Sequence, residues 1–157
     1  MKMSKRERAI SIVNNQNKLE TIQVRRDFIK IDSVLTELGD TRATLLEQID
    51  IQESEFRAMQ QPGAQLDLHR LSEIGGWLNS AAQDLQMLER SISEAESALR
   101  IQLEKLAQLE AAQEVIKQKM LDERSSRWAE LESQTERDLS ELSNAKNLRF
   151  TELSYGA

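Results

Sequence analysis

The stretch MQQPGAQL, Met59 to Leu66, contains the only proline in the chain, and Pro62 is followed directly by Gly63. Proline restrains the residue before it and brings no amide donor, while glycine tolerates a left-handed turn. On the N-terminal side, steps of four and three from Val24 fall on Phe28, Ile31, Leu35, Leu38, Arg42, Leu45, Ile49, Gln52, Phe56 and Met59. All but Arg42 and Gln52 are apolar, which is the seam of a coiled coil and not the alternation of a strand. On the C-terminal side the same stepping gives Leu71, Ile74, Leu78, Ala81, Leu85, Leu88, Ile92, Ala95 and Leu99, all apolar. It runs on through Gln102, Leu106, Leu109, Gln113, Ile116 and Met120.

Two heptad-bearing helices about one short turn predict an all-α fold, an elongated antiparallel two-helix coiled-coil hairpin with unequal arms. As a single unit over 1–157, helix one is expected at 5–60, the turn at 61–66 and helix two at 67–153. Asp67 is placed to restart the helix by accepting the free amides of its first turn. Folding back about Pro62-Gly63 sets Val24 near Leu103 and Ile10 near Lys117. Upstream of Val24 the frame meets Ile10, Asn14, Asn17 and Thr21, a poor seam. After Met120 it slips, because Trp128, Leu131, Leu139 and Leu142 do not continue it strictly.

At 1.5 Å per residue, helix one would span ~84 Å and helix two ~130 Å. Residues 125–153 are therefore expected to overhang, with Trp128, Leu131, Leu139, Leu142 and Leu148 uncovered. A lone solvated helix gains little from packing, so this segment is expected either to fray or to bind something. Trp128 suits an interface or a cover within the chain. Trp77, one position before Leu78, is expected to cap the tip as a core residue. Gly75-Gly76 reads as a bend, a close helix approach or a docking notch.

Composition narrows the function classes. Only 4% of residues are aromatic, and there are five glycines and no cysteine. A sandwich, barrel or βαβ fold needs more turn and β-branched residues. Without cysteine, disulfides, thiolate zinc sites and cysteine catalysis are excluded. Residues 1–60 carry ten basic and ten acidic side chains, so the whole net charge of −6 falls in 61–157. That balance opposes general nucleic-acid binding, leaving Lys2, Lys5, Arg6 and Arg8 as a local basic patch. No run is long and apolar enough to span a bilayer, and the opening MKMSKRERAI is unlike a signal peptide. A cytoplasmic location is expected.

A catalytic site is not expected. His69 is the only histidine, which excludes histidine metal clusters. There is no phosphate-cradling glycine loop and no nucleophile elbow. Glu94 with Glu96, and Asp122 with Glu123, read as solvated helix surface, because an open hairpin offers no dry cavity to tune a carboxyl group. No catalytic residue, cofactor or metal is assigned.

Several stretches resemble one family. The basic start Lys5-Arg6-Glu7-Arg8-Ala9 opens a long first helix, and Leu71-Ser-Glu-Ile-Gly-Gly-Trp77-Leu78 supplies an aromatic-containing restart after the turn. Leu85-Gln-Met-Leu88-Glu89-Arg90-Ser-Ile92 and the charged Leu103-Glu-Lys-Leu106 follow. Together they resemble the flagellar FliJ and virulence-type YscO (SctO) stalk proteins of type III export, over nearly the whole chain. The resemblance implies a non-enzymatic stalk whose terminal end enters the pore of a hexameric export ATPase and links it to a membrane export gate protein. In some systems it also implies contact with export chaperones, and a place at the cytoplasmic face of the secretion apparatus. By that resemblance the ATPase-facing residues are Lys2, Lys5, Arg6, Arg8, Arg124, Arg127, Trp128 and Leu131. The second contact would be the tip, with Leu68, His69, Leu71, Gly75, Gly76 and Trp77. The alternative is a structural coiled-coil adaptor or tether that dimerises through its overhangs, unrelated to secretion. Nucleic-acid partners and direct membrane insertion are not expected.

Overall fold

The computed structural model describes residues 2–155. The fold is an all-α two-helix hairpin. Helix α1 runs Lys5–Met59 and helix α2 runs Leu68–Tyr155. The chain divides into two units, Glu20–Gln108 around the turn, and the two ends up to Leu19 and from Leu109 onward.

In the turn unit, the sequence dictates the reversal atom by atom. After Met59 the backbone closes Gln60 N–H onto the Arg57 carbonyl at 3.1 Å. The Ala64 N–H then donates to the Gln61 carbonyl at 3.2 Å, across Pro62 and a Gly63 with φ of 85°. Proline at the second position and a positive-φ glycine at the third define a type II turn. Asp67 caps α2 as expected: one carboxylate oxygen accepts from the amides of His69 at 3.1 Å and Arg70 at 3.2 Å.

The helices of this unit pack along the expected seam. Every stepped position from Val24 to Met59 is half-buried except Arg42, and every one from Leu71 to Leu106 is buried or half-buried. Arg42 stays in water and reaches Glu89 at 3.5 Å, an exposed pair of small stabilising value. Ile74 and Ala81, at 1% and 3% exposure, are the only buried hydrophobic side chains described. Stability therefore comes from many half-buried layers instead of one core. One layer carries a penalty, because Gln102 Oε1 is buried without a hydrogen-bond partner.

Two local expectations are corrected here. Trp77 keeps 37% exposure, so it lies on the flank and leaves the seam to Ile74 and Leu78. Gly75 and Gly76 are helical, and a Cβ on either would meet nothing within 4 Å. The pair therefore serves no close helix approach. Since glycine disfavours a helix by about 1 kcal/mol relative to alanine, Gly75→Ala with Gly76→Ala is expected to stabilise the protein by about 1–2 kcal/mol in a urea melt. A loss of stability would show that the pair has a structural role.

In the unit formed by the two ends, the seam continues onto polar residues. Ile10, Asn14 and Asn17 on α1, and Leu109, Gln113, Ile116, Met120, Glu123 and Arg127 on α2, are buried or half-buried. Asn14 meets Gln113, as the count from the turn predicts. Glu7 meets Arg127, further along α2 than the same count gives. From Glu132 to Leu153, α2 is exposed on all sides.

Candidate functional site

The end that carries both termini is built from polar layers. Ser4 starts α1: its Oγ accepts from the Glu7 amide at 3.1 Å and its carbonyl from the Arg8 amide at 3.0 Å. Ser4-Lys5-Arg6-Glu7 has capping-box spacing, yet the Glu7 carboxylate crosses to α2. Arg127 Nη1 donates to Glu7 Oε1 at 3.2 Å and Oε2 at 3.0 Å. Glu7 is only 5% exposed, the most buried charged residue described. Arg127 also donates through Nη2 to the Lys2 carbonyl, fastening the chain ahead of α1.

A second polar layer lies further along α1. Asn17 Nδ2 donates to Gln113 Oε1 at 2.8 Å and to the Leu109 carbonyl at 3.2 Å. Gln113 Nε2 donates to Asn14 Oδ1 at 2.8 Å. Paired amides at seam positions contribute less stability than leucines and fix register more firmly. Beyond the Glu7 layer, Arg124, Trp128 and Leu131 join Glu7 and Arg127 around a notch of about 180 Å³.

Of the residues expected to face an ATPase, Lys2, Lys5, Arg6, Arg8 and Arg124 are exposed. Trp128 is 65% exposed and Leu131 half-buried. Arg127 differs from the other cations, because its guanidinium is occupied by Glu7 and Lys2 within the chain. The apolar residues of the arm beyond them, Leu139, Leu142, Phe150 at 78% and Leu153, are all exposed.

At the tip, Leu68 and His69 are exposed, and His69 Nε2 lies 3.0 Å from Glu73. Leu71 is half-buried in the seam. Beside it Arg70 donates from Nε and Nη2 to the two Glu55 oxygens, each at 3.0 Å. Hydrogen bonding and charge from Glu55 hold the Arg70 guanidinium above its ordinary pKa, with Glu73 adding to the effect. This bidentate pair ties α1 to α2 one turn from the reversal.

The arrangement offers recognition surfaces. An open groove of about 660 Å³ between the helices, lined by Leu45, Met87 and Leu88 with Asp40 and Asp84, is shallow and wet. Among the described residues there is no acidic, histidine or cysteine cluster suited to a metal, and no helix long and apolar enough to cross a membrane. No protein-family model, curated protein or solved structure matches the chain.

Sequence reasoning missed Glu7 as a buried partner. The signal was present: stepping back three from Ile10 reaches Glu7, and stepping forward three and four from Met120 reaches Glu123 and Arg127.

Proposed function

We propose that this protein is a non-enzymatic coiled-coil coupling component, whose terminal end and free α2 arm dock into a larger assembly. The observation that carries the reading is the exposed apolar arm beyond Arg127, where Trp128, Leu139, Leu142, Phe150 and Leu153 are uncovered and every residue from Glu132 to Leu153 is open to water. The family resemblance names the assembly: a hexameric type III export ATPase at the cytoplasmic face of the secretion apparatus, with an export gate protein and, in some systems, export chaperones as further contacts. In that setting the arm and the basic start of α1 enter the ring, and the tip from Leu68 to Trp77 is the second contact surface.

No bond is made or broken by the hairpin itself. A stiff helix pair biases the ring only by touching its states unequally, and the ring's states bias the hairpin by the same free energy. Exposed Lys5, Arg6, Arg8 and Arg124 suit contacts that break and reform as those states change.

Removal of the arm tests the reading. A chain ending at Glu132 keeps the Glu7–Arg127 layer and is expected to melt within a degree or two of the full protein. It is also expected to lose capture of the export ATPase from host extract, with recovery scored by mass spectrometry. If the full chain recovers no ring ATPase, the export reading is wrong. If the shortened chain captures as well as the full one, docking belongs to another surface.

A further inference from the structure

We infer that the free arm of α2 is an antiparallel self-pairing surface whose partner is the arm of a second copy of this chain. Its apolar residues stand in two rows with a spacing of eleven: Trp128, Leu139 and Phe150 in one, Leu131, Leu142 and Leu153 in the other. Eleven residues make about three helical turns, so each row keeps to one side of the helix with little drift. The second row begins further back at Met120, which is half-buried in the seam. The stripe thus continues the face that α1 covers, past the point where Arg127 meets Lys2 and α1 ends. Leu148 falls on the opposite side of the arm.

The spacing reads the same in both directions: three, eight, three, eight, three. A two-fold axis between Ser140 and Glu141 therefore sets Trp128 opposite the copy's Leu153, Leu131 opposite its Phe150, and Leu139 opposite its Leu142. Each layer joins one residue of each row, as antiparallel seams require, and the patch is complementary to itself, as an isologous interface requires. A parallel copy would stack like rows on like.

Charge selects the same orientation. Residues 129–140 hold Glu130, Glu132, Glu136 and Asp138 against Arg137 alone. Residues 141–153 balance Glu141 and Glu152 with Lys146 and Arg149. Antiparallel pairing brings Glu132 level with the copy's Arg149 and sets the copy's Lys146 level with Thr135, next to Glu136, whereas parallel pairing sets the acidic halves against each other. Exposure agrees, since both rows beyond Leu131 are open to water in the single chain. Within the pair, an incoming ring and the second copy compete for one stripe.

This inference does not rest on the export reading, because its test needs only the purified full-length chain. Sedimentation at micromolar concentration is expected to give twice the 18.0 kDa of one chain. Leu139→Lys with Leu142→Lys is expected to return it to one chain at unchanged helix content, while Leu148→Lys leaves the pair intact. Orientation is read by cross-linking, since the chain has no cysteine of its own. Leu131→Cys mixed with Phe150→Cys is expected to form a disulfide between chains. Leu131→Cys alone is not, because its two copies would stand about 28 Å apart along the axis. A single-chain mass at every concentration, a pair that survives the double lysine variant, or self-cross-linking of Leu131→Cys would each overturn the inference. Loss of ATPase capture alone would not touch it.

Discussion

Replacing Ile74 with alanine is expected to lower the stability of the hairpin by about 2–4 kcal/mol, the range found when a large aliphatic side chain leaves a cavity. For a chain of this size that is a fall in melting temperature of roughly 5–15 °C. Among the described residues Ile74 is the one large side chain with essentially no solvent exposure, and it sits where the seam is least able to compensate. On one side follow Gly75 and Gly76, which weaken the helix, and on the other lies the turn. Elsewhere a lost methyl or two opens a layer that is already half wet, and water fills the space at small penalty. Ile101→Ala is the control. Ile101 is half exposed and off the seam, so the better helix propensity of alanine offsets the little apolar area lost. Paired urea melts of the two variants decide the point, and equal losses would mean that burial at Ile74 is not what holds the tip.

The fold was legible because its physics is local and repetitive. A side chain every three or four residues must be apolar for two helices to zip, and from Val24 to Leu99 the chain keeps that rule with only Arg42 and Gln52 as exceptions. The reversal was legible for a different reason, since Pro62-Gly63 suits a type II turn and Asp67 a helix cap. What stayed hidden lies where the rule is broken by matched polar pairs. Asn14, Asn17 and Gln113 look like gaps when apolar positions are counted along one helix. They become a layer only when both helices are read together, because each amide supplies what the other lacks. Trp77 misled in the opposite direction: its size suggested a core role, but one residue of helix is about 100° of rotation, enough to move it from seam to flank. The arm reads as uncovered from its length alone, while the spacing of eleven that gives it a defined face does not fit a repeat of seven.

Glu7 and Arg127 are expected to be strongly coupled, because a carboxylate this buried has little access to water once its partner is removed. Breaking a buried pair by deleting one member costs up to several kcal/mol, and hydrogen bonds to charged groups contribute about 1.5–3 kcal/mol. Arg127 retains some exposure and the layer lies near the start of α1, so the expected loss for Arg127→Ala is about 2 kcal/mol. The loss should be local. A zipped helix pair opens from its ends, and the layers from Asn14 inward do not depend on this one. Global melts will therefore register only part of the effect, and amide hydrogen exchange in the first turns of α1 will register it fully, as an acceleration of roughly 30-fold. Glu7→Ala should do less harm than Arg127→Ala, since it leaves a guanidinium with a route to solvent and the Lys2 carbonyl still within reach. The double variant should then recover part of the loss, giving a coupling energy of about 1–2 kcal/mol in the four-way cycle. Arg124→Ala, which removes an exposed neighbour lining the same notch, should leave exchange in α1 unchanged. Strict additivity of the Glu7 and Arg127 substitutions would mean that the two side chains are merely adjacent, and that α1 is held at its start by the Ser4 cap alone.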